Sequence, residues 1–414
     1  MPDDPHEEET SVRDEPWLTR GVVGIGGASF FADLGYEIPT SLLPSLLTTT
    51  LGAPAAALGA IEGFADGLGG ISRLAGGAIA DDPGRRRATA IGGYTATAVL
   101  GAAIGAATAV WQVGVLRASG WIARGLRSPS RSALLAEAVP ASAYGRAYGF
   151  ERAMDNLGAI GGPLLAIGLV ALVGIRTTIM LSVIPGLLAA LAIVIGIRAL
   201  PRAEKRERRA LRLRVRPVLA GRLGRLFGAV SAFELGNAAA TLLILRVTDL
   251  IEPGRSHSHA VEIGLALYAG YNLAAVVASF IGGHLGDRRG SMLVFGFGVA
   301  AFAISYAGFA LSGGNIAVLA GFFVIAGIGI GFAETAESAT VAALAPEDMR
   351  GSAFGLLSAV QSFGNLGASV IAGLLWTVFS PRLAFLYLAA WMVVSLVALG
   401  ISHAGDGDLG AVSA

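Results

Sequence analysis

Residues Gly76 to Arg87 read GGAIADDPGRRR. An apolar run ends there in an acidic pair, a Pro-Gly step and three arginines, and another apolar run follows. The same punctuation returns at Gly282 to Gly290, GGHLGDRRG. Gly77, Asp81 and Gly84 of the first copy correspond to Gly283, Asp287 and Gly290 of the second, at a constant offset of 206 residues. That offset also carries Pro140, Gly149, Gly158 and Gly161 onto Pro346, Gly355, Gly364 and Gly367. The two halves further share an acid-Leu-Gly step, at Asp33-Leu34-Gly35 and at Glu234-Leu235-Gly236. One offset near half of a 414-residue chain points to an internal duplication.

Composition sets the environment of that duplication. The chain is 54% hydrophobic and 14% charged, whereas a soluble domain carries about 25% charged residues. Its apolar residues run in long stretches without period-two alternation, which selects helices over a lipid-embedded barrel. Segments of ~20 apolar residues cross the hydrocarbon core, and candidates lie at roughly 21–44, 53–80, 88–107, 109–130, 145–173 and 177–198. After a break they resume at roughly 222–248, 259–284, 291–311, 315–343, 352–379 and 383–402. The expected fold is an all-α polytopic membrane protein with about twelve transmembrane helices. An even number of spans per half gives both halves one orientation, hence two parallel six-helix repeats. The expected organisation is an N-terminal tail (1–20), a six-helix bundle (21–198), a basic linker (199–221), a second six-helix bundle (222–403) and a C-terminal tail (404–414).

Arginine placement orients the chain. Arg85, Arg86 and Arg87 fall in the second connection, Arg288 and Arg289 in the eighth, and the linker is the most basic stretch. All are even-numbered connections, so they share a side, expected to be cytoplasmic together with both termini. The setting is then the plasma (inner) membrane. The linker reads as a topology-fixing solvated segment, or as one lying on anionic headgroups. The acidic N-terminal stretch lacks a basic n-region and reads as a solvated tail rather than a signal peptide.

Ionisable side chains inside spans are costly and mark cavities or partners. Spans three, six, nine and twelve have none in their interiors and are fit to face lipid. Asp33 and Glu37 are four apart on one helical face, as are Glu62 and Asp66. Two carboxylates on one face in low dielectric do not both ionise cheaply, so these four are the candidates for proton coupling. Glu151, Arg152 and Asp155 read as an ion-pair cluster. Arg117, Glu234, Asn272, Glu334, Glu337 and Gln361 are candidate cavity partners or substrate contacts. In span five, Gly158, Gly162 and Pro163 together permit a bend. Phe30, Phe31, Tyr36, Phe64, Phe233, Tyr268 and Tyr271 read as packing or as an aromatic cavity wall.

Chemistry of other kinds has little support. The chain has no cysteine, no HExxH and no G-x-S-x-G, so no enzyme, cofactor or metal site is expected. His257 and His259, two apart beside serines, read as a solvated loop.

Across nearly its whole length the chain resembles a major facilitator superfamily transporter. That family's loop between helices two and three reads G-x-x-x-D-[RK]-x-G-[RK]-[RK], matched by Gly77, Asp81, Gly84, Arg85 and Arg86. Asp82 stands where the family prefers a base. The second copy keeps Gly283, Asp287, Arg288 and Gly290, with Ser291 in place of the next base. Gly158-x-x-x-Gly162-Pro163 and Arg117 resemble features of the bacterial drug:proton antiporters, although Ala166 and Ile167 replace the glycine pair expected after the proline. The resemblance implies alternating access and proton-driven antiport of a small organic or drug-like solute. It also implies a cytoplasmic gate at the two loop motifs, with Asp81 capping a helix N-terminus or pairing with an arginine across the halves in one state. The alternatives are a proton symporter or facilitator importing a nutrient or metabolite, and an exporter of a metal or metal chelate. Expected partners are membrane lipids, a small-molecule substrate and protons, without nucleic acid, for a chain acting as a monomer.

Overall fold

Two aspartates at helix ends, Asp81 and Asp287, organise the computed structural model, which describes residues 16–201 and 211–411. The first half consists of α1 (Arg20–Ser45), α2 (Ala55–Ala80), α3 (Pro83–Ala103), α4 (Val110–Glu137), α5 (Tyr144–Leu181) and α6 (Val183–Arg198). A single turn, α7 (Val215–Val218), precedes the second half. That half consists of α8 (Gly221–Gly236), α9 (Ala240–Ile251), α10 (His257–Arg289), α11 (Ser291–Leu311), α12 (Ile316–Leu344), α13 (Arg350–Val378) and α14 (Pro381–Ala411). Residues 1–15 of the expected tail, 202–210 of the expected linker and 412–414 lie outside the described residues.

Among the described residues, eight helical stretches are long and apolar enough to cross a membrane. One of them, Ala141–Arg198, contains both α5 and α6, and another, Gly221–Ile251, contains α8 and α9. α1, α2 and α4 fall outside that set, and these are the helices that carry Asp33, Glu62, Asp66, Arg117 and Arg124.

Two expected features sit differently. The expected seventh span is interrupted: α8 stops at Gly236, and Asn237 at its end has non-helical backbone (φ −88°, ψ 78°) before α9 begins. In α5 the residue with non-helical geometry is Gly174, at φ 77°. The bend expected at Gly158, Gly162 and Pro163 is not where helical φ/ψ is lost. A Cβ on Gly158 would meet the α1 backbone and stand 3.2 Å from Asp33 Cβ, and one on Gly162 would stand 2.5 Å from Glu37 Cβ. These glycines therefore let α5 press onto α1 by close backbone approach.

Within the first half, α1 packs on α5 and α6, α2 on α4, and α3 on α4 and α6. Within the second, α10 and α11 pack on α12, and α14 packs on α8 and α11. The halves meet mainly through α5 against α10 and α12, and through α13 against α2 and α4. α3, α6, α11 and α14 take their principal contacts inside their own half. α6 turns Ile184, Leu187, Leu188, Leu191 and Ile195 outward, as a lipid-facing helix does.

Candidate functional site

At the arginine-rich end, each loop aspartate reaches into the other half. Asp81 follows the last residue of α2, and its carboxylate accepts from Ser352 N at 2.8 Å and Ser352 Oγ at 2.5 Å. Ser352 lies in the first turn of α13, where backbone N–H groups lack intrahelical partners and the helix dipole favours an anion. Asp287, near the end of α10, accepts from Gly145 N at 2.6 Å, Arg146 N at 3.0 Å and Arg146 Nε at 2.8 Å. Gly145 and Arg146 open α5. Each carboxylate thus caps a helix that belongs to the opposite half. Burial pushes the Asp81 carboxyl pKa up, and the hydrogen bonds from Ser352 pull it back.

Glycine lets these caps form. A Cβ on Gly77 would stand 2.8 Å from Gly351 O and 2.9 Å from Gly355 Cα. One on Gly283 would press on Gly145, and one on Gly149 would stand 3.2 Å from Gly283 Cα. Gly145 and Gly149 are the positions that the 206-residue offset relates to Gly351 and Gly355. Arg350 Nη2 donates to Tyr144 Oη at 2.8 Å across that same offset.

The neighbouring motif residues act locally. Asp82 is the N-cap of α3: it accepts from Gly84 N at 2.9 Å and pairs with Arg85 at 3.3 Å. An acid at this position thus has its own work and leaves the Asp81–Ser352 contact alone. Arg86 donates to Ala80 O at 2.7 Å and pairs with Glu137, so it ties α3 to α2 and α4. Gly84 lies in the first turn of α3, whereas its counterpart Gly290 takes φ 96° between α10 and α11, a conformation that suits glycine. Arg214, within the basic linker, donates its N–H to Ser352 Oγ at 3.2 Å.

Between the halves lies a cavity of about 260 Å³. α2 contributes Asp66 and Arg73, α5 contributes Arg152, and α12 contributes Glu334. The break after α8 supplies Glu234 and Asn237, and α13 supplies Gln361, Ser362 and Asn365. Arg73 crosses to the second half, donating to Ser358 O at 2.8 Å and to Ser362 Oγ. Arg152 pairs with Glu334 at 3.2 Å and with Asp155 at 3.2 Å. Glu337, fully buried, accepts from Gln361 Nε2 at 2.8 Å.

The expected proton-coupling residues are thereby dispersed. Asp66 faces this cavity, while Glu62 turns to Arg117, which donates at 3.0 and 3.2 Å and also reaches Thr40 Oγ1. Asp33, 7% exposed, pairs with Arg124 at 3.0 Å. The Glu37 carboxylate lies in the field of Arg124, Arg117 and Glu62. Arg117 and Arg124 both stand over the Tyr36 ring, at 4.8 and 4.4 Å. Glu151 and Asp155 share Arg131 at 2.8 and 3.4 Å, which makes that group the ion-pair cluster its sequence suggests. Of the cavity candidates, Glu234, Glu334 and Gln361 line the space, Glu337 sits behind Gln361, and Asn272 donates to Tyr268 O within its own helix. Phe64 is 66% exposed and Phe233 is fully buried. Arg73, Asn237 and Ser362 were not among the sequence candidates. Arg73 follows Asp66 by seven residues, two turns along one helical face, and that spacing was the available signal.

The Major Facilitator Superfamily model matches residues 25–248 and again residues 228–405. The chain belongs to the major facilitator superfamily. As a member it is a multi-pass membrane transporter of a family of carriers that are in general not enzymes. An uncharacterized transporter of this superfamily from Methanocaldococcus jannaschii is 26% identical over 91% of the chain and 94% of its own length. An uncharacterized protein of Mycobacterium tuberculosis is 26% identical over 92% of the chain and 91% of its own length. Among solved structures, a bacterial homologue of the iron transporter ferroportin, in an outward-facing state, superposes with a TM-score of 0.73 at 15% identity. That match covers 93% of this chain and all of the other. The human organic anion transporter MFSD10 superposes with a TM-score of 0.70 at 15% identity, covering 93% of this chain and 99% of its own. At these identities the superpositions speak for the superfamily fold.

Proposed function

We propose that this superfamily member is a proton-coupled exporter of a small organic or drug-like solute, working by alternating access. The carrying observation is the charged cavity of about 260 Å³ between the halves, next to reciprocal caps that join those halves at one end. In this reading the chain crosses the plasma membrane about twelve times as two parallel six-helix bundles that rock about the cavity. The arginine-rich end is cytoplasmic, as are both termini. The present state is closed at that end, and Asp81 and Asp287 form the gate. Asp33, Glu37, Glu62 and Asp66 carry the protons: each neutral form relieves a costly intramembrane charge, and each anion has a guanidinium within its field.

Proteoliposomes with an imposed pH gradient test this reading. Solute accumulation in inside-acid vesicles marks antiport. Accumulation only in outside-acid vesicles replaces it with import by symport, and flux indifferent to both gradients removes proton coupling altogether. The metal-export alternative is favoured by the ferroportin-like neighbour alone. Gradient-driven release of ferrous iron from loaded vesicles would establish it.

A further inference from the structure

The lining of the central cavity is polar throughout, and the bonding state of each group narrows what fits there. This inference rests on the carrier reading of that cavity and concerns its substrate class. The amide donors are already engaged, and each guanidinium is tethered to protein groups. Arg73 donates through Nη1 to Ser358 O and Ser362 Oγ, and its Nε is buried without a hydrogen-bond partner. Arg152 is held between Asp155 and Glu334. Asn237 Nδ2 donates to Glu234 at 3.1 Å, Gln361 Nε2 to Glu337, and Asn365 Nδ2 to Asn237 O at 2.7 Å.

What remains presented to the space is acceptor-rich. Asp66 and Glu234 enter from opposite halves, and among the described residues neither has a cationic side chain within ion-pair distance. The amide oxygens of Gln361 and Asn365 add neutral acceptors. Asp66, Glu234 and Glu334 supply three carboxylates against the two guanidiniums of Arg73 and Arg152, and Glu337 lies just behind. No aliphatic or aromatic side chain is among the described lining. Buried acceptors left without donors are costly, and a buried charge left without a counter-charge costs more.

We infer that this cavity takes a small hydrophilic organic cation bearing several N–H or O–H donors: a protonated amine, guanidine or amino sugar. Its cationic group lies between the Asp66 and Glu234 carboxylates, and its further donors meet the amide oxygens. An organic anion meets three lining carboxylates, with Glu337 behind them, against two guanidiniums. A lipophilic cation without donors leaves the acceptors desolvated and finds no apolar wall. The volume lies just under the ~300–1,000 Å³ of ordinary small-molecule pockets, which favours a compact ligand.

The test is equilibrium binding to the purified full-length chain, with no gradient imposed. Agmatine, spermidine and glucosamine are the donor-rich cations, tetraphenylphosphonium is the donor-free cation, and glucuronate is the polyhydroxy anion. The expected result is binding of at least one of the first three, tighter than both controls by about tenfold or more, the scale of one charge-assisted hydrogen bond. Glu234→Gln and Asp66→Asn should each weaken that binding by about tenfold, with Asp82→Ala as a control outside the cavity. The inference is overturned if tetraphenylphosphonium or glucuronate binds at least as tightly as every donor-rich cation, or if none of the three binds. The wild-type series alone decides the class, so a variant that fails to fold does not rescue it. Selective binding without gradient-driven flux would sink proton-coupled export and leave this assignment standing. Gradient-driven transport of glucuronate would do the reverse.

Discussion

Removing either aspartate cap should shift the balance between states, and the contacts set the size of the shift. Asp81→Ala deletes two hydrogen bonds to Ser352 and the anion at the start of α13. A lost N-cap costs about 1 kcal/mol, and the helix-dipole contribution adds about 0.3–1 kcal/mol. A total of about 2 kcal/mol corresponds to a roughly 30-fold fall in the closed-to-open ratio. Asp287→Ala deletes two backbone contacts and the Arg146 ion pair. With a charged hydrogen bond included, its cost is about 3 kcal/mol, a shift of roughly 100-fold. A wild-type ratio of about 100 would fall to about 3 in the first variant and about 1 in the second. The chain has no cysteine, so spin labels at Ser142→Cys and Glu347→Cys need no background removal. Both positions are exposed, just before α5 and α13. Pulsed electron–electron distance measurement should show a second, longer population in Asp81→Ala and a larger one in Asp287→Ala. A single unchanged distance in both would refute a state-dependent latch. A larger effect from Asp81 than from Asp287 would refute the contact arithmetic.

Other expectations are independent of that experiment. Asp33→Asn and Asp66→Asn should each uncouple solute flux from the pH gradient in proteoliposomes; undiminished gradient-driven flux in both removes them from the proton path. Gly355→Val should hold the arginine-rich end open and suppress transport, because a Cβ there stands 2.7 Å from Gly77 Cα and 2.8 Å from Arg73 O; the same label pair reads it, and an unaltered closed distance contradicts the seam. Asp82→Ala should lose about 1 kcal/mol of stability with the cap of α3 while turnover stays at wild type; slowed turnover would show that Asp82 contributes to the latch.

The sequence was most informative where the halves copy one another. The offset that pairs Gly77 with Gly283 also pairs Gly145 with Gly351 and Gly149 with Gly355, and these residues form the two seams between the halves. The acid-Leu-Gly steps behaved likewise. Asp33 lies against Gly158 and Glu234 against Gly364, and the two glycines are related by that offset. Asp82 was legible in principle, since an Asp-Pro-Gly run is a helix start with proline at its first position; the family pattern drew attention to the missing base instead. Partners across the chain were not legible. Ser362 lies 289 residues from Arg73, and no local spacing announces that contact. Helical periodicity placed Glu62 and Asp66 on one face, but a helix face is broad, and different neighbours claim its two edges: Arg117 for Glu62 and the central cavity for Asp66. The interruption at Asn237 left no proline as a signal.

The glycine seams carry a genetic consequence. Where two side chains collide, a lesion on one face is often relieved by trimming the residue opposite. Opposite Gly355 stand the α-carbon of Gly77 and the carbonyl oxygen of Arg73, and neither can be made smaller by any codon change. A selection for revertants of Gly355→Ala should therefore return true revertants, or second-site changes that re-space whole helices, and no compensating allele at the facing position.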